Sequence, residues 1–232
     1  MNHSSLREEC CEANILLKRT GLVDLTFGNV SVVDRATGVM AIKPSGVPYD
    51  QITPASMVLM DLEGTVMEGK LNPSSDAPTH RRMLKAFPEV IRSVVHTHSR
   101  AAVAFAQAGL AIPCFGTTHA DHFHGPVPVT RAMTEEEILQ AYEWETGGVI
   151  LESFRDLSPV DVPAVLVRGH GPFVWGTGGL KAVEYAQALE LVAVMALDTL
   201  RLSPQCPPLD PTLLDKHFFR KHGPTATYGN SI

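Results

Sequence analysis

A single α/β domain is predicted from two features of this 232-residue chain. Segments with apolar residues at helical spacing alternate with short apolar runs of strand length. No repeat, low-complexity tract or linker divides them, so residues 1–232 are expected to share one core. With 44% apolar and 19% charged residues the composition is that of a soluble globular protein.

Taken in order, Leu6–Arg19 carries helical periodicity and stops before Gly21. Leu25–Val33 is predicted as a strand interrupted at Gly28-Asn29, either a plain turn or a point where backbone approaches a ligand. Val39–Ile42 is a short strand running into Lys43-Pro44-Ser45-Gly46. That turn is either ordinary or an oxyanion cradle of backbone N–H groups beside one cation. Met57–Leu62 and Val66–Glu68 form a hairpin around Glu63-Gly64. Pro73-Ser74-Ser75-Asp76 opens a helix reaching about Phe87, a start that suits capping and equally suits a phosphate. Asp76 is either the cap or a carboxylate near a metal.

Ile91–His96 is a strand, and Ser99–Ala108 a helix capped by Ser99 and stopped by Gly109. Thr117–Gly125 has turn character. Met133 to about Phe154 begins with three glutamates that complement the helix dipole, and Gly147-Gly148 is expected to split it. Ala164–Val167 is a buried strand leading through Gly169-His170-Gly171 to a partner strand, Phe173–Trp175. Leu180–Leu200 is a long helix, apolar all round at Leu191–Leu197, which implies burial on several faces, a subunit contact among them.

His96 and His98 fall at a strand end, two residues apart and so on one face, where two imidazoles reach a common metal ion. The same spacing also suits two unrelated histidines. His170 lies just past another strand. His119, His122 and His124 form a rival cluster, and Asp121 beside them is a candidate acid or base. The net charge of −6 argues against nucleic acid or an anionic membrane as partner, so positive contacts to an anionic substrate must be local. Met1–Glu12 is polar and unlike a signal peptide, and the charge-poor Arg100–Thr118 stretch is broken by Gly109 and Pro113. Cys10, Cys11, Cys114 and Cys206 contain no Cys-x-x-Cys spacing, which points to a reducing cytoplasm.

With these residues in hand, the chain resembles the class II aldolase family, and within it the L-ribulose-5-phosphate 4-epimerases. The resemblance is carried by Leu25-Thr26-Phe27-Gly28-Asn29-Val30-Ser31, Lys43-Pro44-Ser45-Gly46, Pro73-Ser74-Ser75-Asp76 and His96-Thr97-His98-Ser99-Arg100. Further along it rests on Gly116-Thr117-Thr118-His119-Ala120-Asp121, Tyr142-Glu143-Trp144-Glu145-Thr146-Gly147, Gly169-His170-Gly171-Pro172 and Leu213-Leu214-Asp215-Lys216-His217. Any one block is weak; their common order along nearly the whole chain is specific. Phe27 stands where Trp is common, and the chain ends in Asn230-Ser231-Ile232.

The resemblance implies a three-layer fold with a central, mostly antiparallel sheet flanked by helices, assembled as a homotetramer. It implies a divalent metal, usually Zn2+ with Mn2+, Co2+ or Ni2+ as substitutes, on His96, His98 and His170, with Asp76 at or near it. Gly28, Asn29, Lys43, Ser45, Gly46, Ser74, Ser75 and His217 would hold a phosphorylated ketopentose. Asp121 and Tyr228 would be the paired acid and base, with Tyr228 and His217 from a neighbouring subunit. Inverting C4 cannot proceed by removing an unacidic C4 hydrogen. The implied route is retro-aldol cleavage between C3 and C4, rotation of the glycolaldehyde phosphate and re-addition to its other face. Each face needs its own proton partner, which explains two acid/base groups. A related aldolase, such as one acting on L-fuculose 1-phosphate, typically has Glu where Asp76 stands and releases its product; an adducin-like module would not be catalytic. The arabinose, ascorbate and L-xylulose routes all remain open for the pathway.

Overall fold

The computed structural model of the protein describes residues 3–222 and Ala226. Among the described residues seven strands form one sheet: β1 (Asn29–Asp34), β2 (Val39–Ile42), β3 (Val58–Asp61), β4 (Val66–Glu68), β5 (Ser93–His96), β6 (Ala164–Leu166) and β7 (Pro172–Gly176). Their order is β4-β3-β2-β1-β5-β7-β6, and every neighbouring pair is antiparallel. The helices are α1 (Ser4–Arg19), α2 (Ala77–Ala86), α3 (Arg100–Ala108), α4 (Thr117–Ala120), α5 (Glu135–Ser153), α6 (Gly179–Leu202) and α7 (Pro211–His222).

Alternation along β1 separates two helical layers. Ser31 turns toward α2, where its Oγ lies 2.8 Å from His80 Nδ1. Val32 turns the other way, toward the start of α6 at Gly179, which also meets Ala13 of α1. Helices α1, α3 and α6 pack together against that second face, and α2 packs with α5 on the first. The central strands β1, β2, β5 and β7 are buried on both faces, as a sheet sandwiched between helices requires, whereas the edge strand β4 is exposed.

Antiparallel alternation also gathers four strand ends at one edge of the sheet. Asn29 at the start of β1 pairs with His96 at the end of β5, and His96 pairs with Phe173 near the start of β7. Ile42, ending β2, pairs with Ser31, so Lys43 leaves the sheet at the same edge. The turn after β2 is then stitched to the loop before α2, through Ser74 N–H to Lys43 O at 3.1 Å and Ser45 N–H to Asn72 O at 3.0 Å.

Several expectations are corrected. The strand β1 starts at Asn29, because Leu25 and Gly28 have positive φ (51° and 77°) and form a turn before it. Helix α5 continues through Gly147-Gly148 and breaks instead at Ala141, whose φ and ψ are −152° and 55°. A Cβ on Gly147 or Gly148 would come within 2.8 Å of the Arg82 side chain, so the two glycines admit α2 rather than end α5. Ser99 occupies the N-cap position of α3 without a side-chain bond. The cap is long-range: Glu190 of α6 accepts the Ala101 and Ala102 N–H groups at 2.8 and 3.0 Å. Helix α6 buries Val192, Ala193 and Ala196 but exposes Leu191, Val194 and Met195, so within one chain only one face is covered. The Thr117–Ala120 stretch is a short helix rather than a turn.

This packing makes two stability measurements decisive. Replacing Glu190 with Ala should lower stability by about 1–2 kcal/mol, since two helix-terminal donors lose a charged acceptor; an unchanged denaturation midpoint would show that the cap contributes nothing. His80 and His119 are buried, and burial depresses both imidazoles to about 4. Above about pH 6.5 each is neutral whether folded or unfolded. As pH falls from 6.5 toward 4 the unfolded chain takes up the protons first, so stability drops by on the order of 3 kcal/mol for each ring. In urea titrations across that window His119→Gln should show a shallower loss than the parent; identical slopes would sink the assignment for His119.

Candidate active site

His96 is the last residue of β5, His98 follows it by two, and His170 sits in the turn between β6 and β7. Their ligand nitrogens converge, all within 4.8 Å of one another. His96 Nδ1 lies 3.0 Å from the Pro172 carbonyl, so it carries the proton and leaves Nε2 bare. That Nε2 faces His98 Nε2 at 3.0 Å. Two nitrogens sharing a tetrahedral zinc would lie about 3.3 Å apart, from bonds of about 2.0–2.1 Å. Burial pushes His96 and His170 below the usual imidazole value, His96 strongly, so both rings are neutral ligands at neutral pH. The donor set fits a divalent cation.

The ring planes are held from behind. Phe173, the cross-strand partner of His96, stacks on it with centroids 4.3 Å apart, and Phe27 stacks on His98 at 5.7 Å. His170 Nδ1 lies 3.3 Å from the Tyr142 hydroxyl.

The histidines line a cavity of about 410 Å³, within the range of about 300–1,000 Å³ common for small-molecule sites. Gly28, Asn29, Lys43, Ser45, Gly46, Ser74, Ser75 and Asp76 line it too. Asp76 occupies the N-cap position of α2 but makes no side-chain cap bond. Its Oδ2 instead accepts from Asn29 Nδ2 at 2.7 Å, and the same amide donates to Ser74 Oγ at 3.0 Å. Burial opposes ionisation of Asp76, but His96, His80 and the Asn29 bond outweigh it and hold the carboxyl below its usual value. The convergent ligand group among the described residues is the three histidines, with Asp76 lining the cavity beside them. Asn29 Oδ1 is buried with no protein partner among the described residues, an acceptor left for a ligand hydroxyl.

Asp121 and His217 do not line this cavity within one chain. They meet each other where α7 crosses α4: Asp121 Oδ1 lies 3.1 Å from His217 Nδ1, and its carboxylate also accepts from Arg220 at 3.1 and 3.2 Å. Lys221 Nζ lies 3.3 Å away. Burial raises Asp121, yet His217, Arg220 and Lys221 more than offset it, so the carboxyl stays ionised. Tyr228 lies outside the described residues. The rival histidine cluster is not assembled: His119 Nε2 bonds the Gly125 carbonyl at 2.7 Å and His124 Nε2 lies 2.7 Å from Asp215.

Residue types and spacing left Tyr142 and Glu143 without roles, yet both line the cavity. The break at Ala141 turns them there, and α2 fixes the backbone beyond it, through Thr79 Oγ1 to Glu143 O and Arg82 Nη1 to Trp144 O. No local sequence signal marks a helix break at an alanine.

The chain matches the Class II Aldolase and Adducin N-terminal domain over residues 8–197. It is 47% identical over 224 residues to the L-ribulose-5-phosphate 4-epimerase UlaF of Salmonella paratyphi B (strain ATCC BAA-1250 / SPB7), covering 97% of this chain and 98% of that protein. Among solved structures, an L-fuculose 1-phosphate aldolase superposes with a TM-score of 0.78 at 24% identity, covering 94% of this chain and 96% of the other. The L-fuculose-1-phosphate aldolase of Thermus thermophilus gives a TM-score of 0.67 at 25% identity, over 88% and 98% of the two chains. The structural likenesses establish the fold, and together with the sequence match they place this chain in the class II aldolase and adducin N-terminal domain family.

Proposed function

We propose that this protein is a metal-dependent L-ribulose-5-phosphate 4-epimerase, interconverting L-ribulose 5-phosphate and D-xylulose 5-phosphate by C3–C4 cleavage and re-addition. The observation that carries the reading is one cavity holding both three converging imidazoles and a buried lysine that has no carboxylate partner among the described residues. Lys43 is 2% exposed, and burial lowers the pKa of its ammonium, with no carboxylate among the described residues offsetting it. A ligand with one end for a cation and an anionic end for Lys43 fits a phosphorylated ketose. The 47% identity to a 4-epimerase over almost the full length selects this reaction within the family.

His96, His98 and His170 would hold the ion, zinc being the expected one, and it would supply Lewis acidity to the charge developing on substrate oxygens, an effect of several kcal/mol. Asn29, Ser74 and Lys43 orient the substrate, and the phosphate contacts keep the cleaved aldehyde in place while it turns. Asp121, ionised by its basic neighbours, takes a proton from the C4 oxygen on one face. Tyr228 serves that oxygen on the opposite face, so the two exchange roles in the reverse direction. Because Asp121 and His217 are bonded together and lie off the cavity of their own chain, they act as one unit on a neighbour's cavity. This supports a homotetramer with shared sites, and the exposed Leu191, Val194 and Met195 of α6 offer apolar contact surface. All four cysteines are free, in keeping with a cytoplasmic enzyme, and among the described residues no helix is long and apolar enough to cross a membrane.

Incubation with L-ribulose 5-phosphate should yield D-xylulose 5-phosphate, and chelation should abolish turnover. His96→Asn should weaken metal binding at least about tenfold in competition with a chromophoric chelator. Accumulation of glycolaldehyde phosphate without epimer would make the enzyme an aldolase, and full activity after metal stripping would remove the metal role. Asp121→Asn should lower kcat by about 10²–10⁴-fold with metal content unchanged. Mixing inactive His98→Asn and Tyr228→Phe chains should regenerate some competent sites; no recovery in demonstrably mixed oligomers would place the whole site in one chain.

A further inference from the structure

Tyr49 lies behind the cavity wall, 5% exposed, in the turn that follows Lys43-Pro44-Ser45-Gly46. Its hydroxyl is 2.8 Å from the Gly28 carbonyl and 3.2 Å from that of Phe27, in the turn leading into β1. Its ring face lies under Lys43, with Nζ 4.8 Å from the centroid. That ammonium also donates to the Pro44 carbonyl at 3.4 Å. One side chain therefore touches both cavity walls without itself lining the cavity.

We propose that Tyr49 is the positioning residue of the anion-binding part of the site, its ring holding the Lys43 ammonium and its hydroxyl tying down the Phe27-Gly28 backbone. This rests on the reading that Lys43 receives a phosphate. A carboxylate in the same place would hold the lysine equally well but would neutralise it and repel the incoming anion. The quadrupole of an aromatic ring attracts the cation without cancelling its charge. Gly28 adds the second half of the device. A Cβ there would sit 3.0 Å from the His96 carbonyl and 3.5 Å from the Tyr49 hydroxyl, so the bonded loop runs close against the end of β5. Tyr49 thus couples the lysine to the backbone that leads into Asn29.

The test compares metal-loaded wild type, Tyr49→Phe, Tyr49→Leu and a chain carrying pentafluorophenylalanine at position 49. Binding of inorganic phosphate is measured by calorimetry and turnover with L-ribulose 5-phosphate. Tyr49→Leu should weaken phosphate and raise KM about tenfold while kcat moves much less, as expected for an interaction made equally in ground and transition states. Tyr49→Phe, which keeps the ring, should retain phosphate affinity within about threefold of wild type. The fluorinated ring, similar in shape but reversed in quadrupole, should behave like Leu; this pair carries the test even if the leucine variant does not fold. Equal phosphate affinity for the phenylalanine and fluorinated chains, or a loss confined to kcat, would overturn the role of Tyr49. If wild type binds neither phosphate nor the phosphopentose, the anion-site reading itself falls and this proposal with it. Wild-type binding with insensitive variants removes Tyr49 alone.

Discussion

The site depends on one cross-strand register. Asn29 opposite His96, and His96 opposite Phe173, put an amide, a metal-type ligand and an aromatic wall on the same face of three adjacent strands. Directly paired residues in an antiparallel sheet share a face, and a slip of β5 by one residue would send His96 to the other layer, away from Asn29 and Phe173. The strands on either side of β5 both run opposite to it. The chain therefore enters β1 and β7, and leaves β5, at the same sheet edge, and the connecting loops collect there. Gly28 precedes β1, His98 follows β5, His170 precedes β7, and Lys43 leaves β2.

Around that register the helices act mainly as buttresses. Asn14 of α1 bonds both backbone groups of Val30, at 2.9 Å and 3.0 Å, fixing the strand one residue beyond Asn29. Helix α2 delivers Asp76 at its first turn and, through Thr79 and Arg82, anchors the stretch of α5 that brings Tyr142 to His170. The C-terminal helix α7 does something different. Its basic face clasps Asp121 and keeps an acid/base candidate ionised but away from its own chain's histidines.

Much of this was legible from local chemistry. The strand-end spacing of His96 and His98, the Gly-flanked His170 and the Lys-Pro-Ser-Gly turn are each candidates because strand alternation and turn geometry are local, and it is the family resemblance that joins them into one site. Asp76 was ambiguous for a physical reason: an N-cap position and a cavity position are the same place in sequence. The structure separates them through the bond to Asn29, a residue 47 positions away. Ser99 misled in the opposite direction. It has the right position for a cap, but a carboxylate from α6 outcompetes it.

Most element types and the strand-end pair of His96 and His98 can be read from the sequence, because periodicity and turn chemistry are properties of neighbouring residues; the family, and through it the three-histidine set, follows from the order of motifs along the chain. Tertiary structure alone decided which candidates meet. It brought Lys43 onto the ring of Tyr49, turned Tyr142 and Glu143 into the cavity at an alanine with no breaking tendency, and set Asp121 against His217 outside it. Those pairings depend on sheet order and on helices packing across tens of residues, and no local pattern encodes the distance between two such groups.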